Sequence, residues 1–133
     1  MAVPYITKTK TIHLGAIAID SDAFLYALWK LEHAIKISAI RLGVNTSCNA
    51  ADTNYNTIYV KNGTVVIGTI ANGPVAGGTS FVLGTFSAMT VAVAAGANLV
   101  AAGDTLSLKV TKTGNGLALA GAILQIEYLD YQA

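Results

Sequence analysis

The side chains that could do chemistry in this chain are few, and their spacing builds no familiar catalytic constellation. His13 and His33 are its two histidines, they lie far apart in sequence, and no third ligand is specified beside either. Neither metal ligation nor a triad is therefore indicated. The single cysteine, Cys48, sits in a polar run at residues 45–56; it excludes an internal disulfide and reads as a spare thiol. A small hydrolase would need one of the histidines beside Cys48 or beside a Ser/Asp pair, and no signature ties them together. Gly73-Pro-Val-Ala-Gly-Gly78-Thr-Ser80 has the glycine spacing of a phosphate-binding loop, but Thr79 stands where the lysine belongs, so it reads as a surface loop. Gly114-Asn115-Gly116 is a hairpin turn without a surrounding Rossmann unit. Trp29 and Tyr26 have the rings to cradle a sugar, yet on their apolar segment they read as core or interface. Asp104 follows Gly103 at the start of a strand, where its carboxylate can accept backbone N–H bonds and fix a turn. These residues imply no enzyme, no cofactor and no metal.

Composition points to surfaces instead. The 133 residues carry eight basic and seven acidic side chains, 11% charged, with 53% hydrophobic residues and a mean hydropathy of +0.56. About 25% charged is usual for soluble chains. So apolar a chain can offset the entropy of ordering, which excludes disorder. A net charge of +1 leaves no basic excess for nucleic acid. The first residues show no basic and apolar leader pattern, so no signal peptide is expected and the protein is expected to be made in a host cytoplasm. Residues 62–103 contain no charge at all, and 80–102 are apolar-rich. Gly84, Thr85, Ser87, Thr90, Gly96 and Asn98 interrupt that stretch, so strands fit it better than a membrane span. Charge depletion is typical of interface cores, and a closed symmetric oligomer covers such a surface without endless aggregation. The interface is expected to include Val91 and Val93.

Alternation sets the elements. Thr57-Ile-Tyr-Val-Lys61, Asn62-Gly63 and Thr64-Val-Val-Ile-Gly68 spell a hairpin, with Asn62 and Gly63 both at positive φ and Val60 opposite Val65. That register puts Ile58, Val60, Val65 and Ile67 on the core face. Leu106, Leu108 and Val110 form one face of a second strand, and Ala122, Leu124, Ile126 and Tyr128 one face of a terminal strand. Further strands are expected at residues 9–19, 35–44, 80–86 and 89–94. Phe24, Leu25, Ala27, Leu28, Leu31, Ala34 and Ile35 follow helical spacing, so residues 24–32 read as a short helix or an irregular connection. The whole is an all-β, jelly-roll-like sandwich over residues 12–133. It is preceded by an extended arm, residues 1–11, whose Val3, Tyr5 and Ile6 would make contacts by strand addition.

The stretch Asn98-Leu-Val-Ala-Ala-Gly-Asp104-Thr-Leu-Ser-Leu-Lys-Val-Thr111, with Thr113-Gly-Asn-Gly-Leu-Ala-Leu-Ala-Gly121-Ala-Ile-Leu-Gln-Ile-Glu-Tyr128, resembles the closing strands of jelly-roll cement (decoration) proteins of tailed-bacteriophage heads. Residues 35–70 are similar in strand order and in their Asn-Gly hairpin. Trimeric jelly rolls of the tumour-necrosis-factor type end comparably. The resemblance implies a homotrimer on the outer surface of a virion, binding the major capsid protein and no nucleic acid or membrane, with no catalytic residues. The alternative is a trimeric receptor- or glycan-binding head of a phage fibre.

Overall fold

The computed structural model describes residues 7–17, 24–74, 77–114 and 119–130. They form ten β-strands: β1 (Thr7–Ile17), β2 (Phe24–Lys30), β3 (Ile35–Gly43), β4 (Tyr55–Asn62), β5 (Val65–Ala71), β6 (Ser87–Ala88), β7 (Thr90–Val91), β8 (Leu99–Val100), β9 (Thr105–Thr113) and β10 (Leu119–Asp130). A single 3-10 turn at Ala94–Gly96 is the helical element among them. Two antiparallel sheets result. One runs β1-β10-β3-β6, with β8 also on β3; the other runs β2-β9-β4-β5-β7. The pairs nest: β4 with β5, β3 with β6 and β8, β2 with β9, β1 with β10. A long ribbon folded at the β4–β5 hairpin and rolled so that successive strands change sheet is the jelly-roll connectivity.

The core lies between the sheets. Leu106, Leu108 and Val110 on β9 face Ala122, Leu124 and Ile126 on β10 across the sandwich, all at most 1% exposed. Ile35, Ile37, Ile40 and Leu42 on β3 join them. Full burial of each large side chain contributes roughly 1.5–3 kcal/mol. The row on β3 changes parity after Ile37 because Ser38 is bulged: Ile37 pairs with Tyr128 and Ala39 with Glu127. Its hydroxyl donates to the Glu127 carbonyl at 3.1 Å, and the alternation resumes with Ile40 inward.

Three expectations are corrected by such local geometry. Residues 24–30 are strand, not helix: β2 pairs with β9 from Phe24–Val110 to Lys30–Thr105. A bulge places one extra residue, Leu28, between the pairs Ala27–Ser107 and Trp29–Leu106. An inserted residue turns a period of two into a local step of three, which is what imitates helical spacing. The β4–β5 hairpin is also shifted: Asn62 pairs with Val65 and Lys61 with Val66, and Ile67 is the bulged residue before Gly68 meets Val60. Gly63 alone of the Asn-Gly pair has positive φ, at 60°, so the turn centres on Gly63-Thr64. Val65 is consequently 45% exposed rather than core, whereas Ile58, Val60 and Ile67 are buried. Of the expected arm, residues 1–11, Thr7 to Thr11 belong to the sheet instead, pairing with Leu129 to Gln125, and residues 1–6 lie outside the described residues.

Candidate functional site

The two lateral sides of the sandwich differ. On one side, residues 80–100 cross from sheet to sheet and close it. The Met89 N–H donates to the Ile40 carbonyl at 2.8 Å in the first sheet; Thr90 and Val91 pair with Thr69 and Gly68 in the second; the Ala92 N–H then donates to the Ile67 carbonyl at 2.8 Å. Glycines permit the approach. A Cβ on Gly68 would meet the Ile40 side chain at 2.8 Å, and one on Gly43 would meet the Phe86 ring at 2.8 Å. Phe81 anchors the preceding turn: it is 1% exposed and exchanges two backbone bonds of 2.8 Å with Cys48.

This side belongs to the uncharged span 62–103. Among the described residues, every large hydrophobic side chain that stays exposed lies in that span: Val65, Val66, Val82, Leu83, Phe86, Val93 and Leu99. Leu83 and Val93 are the most open, at 60% and 67%. Of the two residues expected in an interface, Val93 points to solvent, whereas Val91 is half-buried and packs on the core. Val3, Tyr5 and Ile6 lie outside the described residues.

Polar groups beneath this surface are internally bonded. Buried Asn72 accepts the Asn56 N–H at 3.3 Å and donates to Cys48 Sγ at 3.3 Å and to the Asn49 carbonyl at 3.4 Å. Burial pushes the Cys48 thiol up, against the smaller opposing effect of the Asn72 bond. A thiol held protonated is a poor nucleophile. Asp104 fixes the turn before β9: its carboxylate accepts the Ala101 N–H at 3.2 Å and the Asn62 side-chain amide at 3.0 Å. Gly103, at a φ of 90°, lets the chain reverse there, and its N–H donates to the Leu31 carbonyl at 2.7 Å. Gly63 and Gly103 are thus turn residues, while Asn62 at the end of β4 and Asp104 before β9 tie one turn to the other through their side chains.

The opposite side, where the edge strands β1 and β2 meet, is open and charged. A cleft of about 350 Å³ lies there. The inward row of β10 passes from Ala122, Leu124 and Ile126 to Tyr128 and Asp130, and its neighbour on β1 passes from Ile12 to Lys10 and Lys8. Apolar interior therefore gives way to charge at the mouth. Trp29 and Lys30 of β2, with Glu32 and His33 beyond it, supply the facing wall. The Trp29 and Tyr128 rings meet edge-on, 5.1 Å between centroids at 61°. Lys10 Nζ lies 5.5 Å from the centre of the Trp29 ring, within cation–π range. Lys8 pairs with Asp130 at 2.5 Å, and that bond, then the carboxylate's charge, raises the Lys8 pKa above 10.5. The even spacing of Lys8 and Lys10 with Ile12 is the signal in the sequence that they continue an inward row.

His13 and His33 are both exposed, His33 in this cleft and His13 beside a smaller hollow formed with Leu14 and Leu28. Among the described residues no three His, Cys, Asp or Glu side chains are grouped to hold a metal, and no helix is long and apolar enough to cross a membrane.

No family model and no curated protein matches the chain. Among solved structures it is similar to "Structure of infectious bursal disease virus Gt strain", with 11% identity and a TM-score of 0.28, over 96% of this chain and 38% of that one. A likeness that slight carries no argument. The fold assignment rests on the strand order itself.

Proposed function

We propose that this protein is a non-catalytic structural component of a virion, a jelly-roll module that associates as a homotrimer and clamps major capsid proteins on the outer surface of a phage head. The observation that carries the reading is a coincidence in sequence: the exposed Val82, Leu83, Phe86, Val93 and Leu99 all lie in the charge-free residues 62–103. Large apolar side chains left exposed in a stretch free of charge call for a partner. A second copy is the economical one, since a closed ring hides the patch on every copy. Three subunits then present three equivalent attachment points, so modest single contacts sum to firm binding. Residues 1–6, with Val3, Tyr5 and Ile6, are the candidate strand-adding arm toward the capsid protein.

The test is co-sedimentation of the purified protein with mature, expanded capsids of its own phage, followed by electron microscopy of the decorated shells. Binding at symmetric lattice points is expected. A variant lacking residues 2–6 spares β1 and is expected to bind more weakly. No binding of the intact protein would reject the capsid reading.

A further inference from the structure

We propose that the cleft between β1, β2 and β10 is a binding site for an acidic sugar, a pyranose bearing a carboxylate. The inference is independent of capsid attachment and rests on the concentration of chemistry at one place. Five of the chain's fifteen charged residues, one of its two histidines and its sole tryptophan line this cleft. Inward charges on an edge strand also discourage aggregation, which accounts for Lys8 and Lys10 on β1. It does not account for the edge-on Trp29–Tyr128 pair opposite them, nor for Lys30 on the other sheet and His33 in the loop beyond it.

The parts suit one ligand class. A volume of about 350 Å³ is at the small end for ligand pockets, the scale of a single sugar ring. Asp130 is neutralised by Lys8. Lys10 and Lys30 form no ion pair among the described residues, which leaves the cleft with a positive balance over Glu32. Lys10 is exposed and sits over the Trp29 ring. A sugar C–H face taking the place of that ammonium would stack on the indole, while the ammonium swings to the sugar's carboxylate. Glu32 accepts hydroxyls at the rim.

Because Trp29 is the only tryptophan, its fluorescence reports on the site. The full chain is titrated with N-acetylneuraminic acid and with glucuronic acid, then with galactose and with inorganic phosphate. A saturable change is expected with an acidic sugar, and binding about tenfold weaker with galactose, which lacks the charged partner. The exposed-site variants K10Q and K30Q, checked for an unchanged thermal transition, are expected to weaken the acidic sugar by a similar factor. No saturable response to either acidic sugar overturns the proposal. So does full affinity in both variants, and so does phosphate binding as well as the sugars, which would mark a simple anion site.

Discussion

The two sides of the sandwich solve the problem of a sheet edge in opposite ways. On one side the chain crosses between the sheets through Met89 and Ala92, excludes charge from residues 62–103 and leaves Leu83 and Val93 in solvent. On the other, β1 and β2 remain edges, and charge is concentrated at inward positions beside Trp29 and Tyr128. In the proposed trimer the uncharged closed side is the one that a second copy covers. A charged open side stays wet and is able to exchange its contents with solvent. The difference teaches that charge placement, rather than strand order, separates the two roles within one fold.

The comparison can be broken most forcefully at Phe81. Truncating this buried anchor to alanine is expected to cost about 3–5 kcal/mol in chemical denaturation, because the turn that holds Leu83 and Phe86 loses its seat. Gly63→Val, at the far hairpin, is expected to cost on the order of 1 kcal/mol through its φ of 60° alone, since open space surrounds the position. Cys48 sharpens the picture of the closed side: alkylation near pH 8 is expected to be slower in the folded chain than in denaturant, and faster in Phe81→Ala. Its raised pKa also fixes a sign. The native state holds the proton more tightly, so stability falls as pH rises past 9.0, where the unfolded thiol ionises. On the open side the smallest effect is expected. Asp130→Asn should leave the denaturation midpoint almost unchanged at neutral pH, because the pair is exposed. What Lys8 gains from Asp130 is present at neutral pH and is lost only as pH rises through its raised pKa, above 10.5.

Much of the sandwich was legible because alternation survives wherever strands are regular. The rows Leu106-Leu108-Val110 and Ala122-Leu124-Ile126 are buried as their spacing demands. Legibility failed at bulges. Leu28, Ser38 and Ile67 each add a residue to one strand, and nothing in a local sequence window announces the insertion. That is why residues 24–30 imitated a helix and why Val65 was assigned to the wrong face. The uncharged side was visible as a gap in charge. The cleft was not, because its walls come from β1 and β2 near one end of the chain and β10 near the other, brought together only by the rolled ribbon.

The most direct test of the covered side is the molar mass of the intact chain by light scattering at micromolar concentration, beside that of Leu83→Asp and Val93→Asp. Both side chains are exposed, so neither substitution burdens the core. The account predicts three times the 13.7 kDa chain mass for the native protein and a shift toward monomer in the two variants with the thermal transition of the fold retained. A native protein that stays at 13.7 kDa, or variants that keep the full assembled mass, would contradict it.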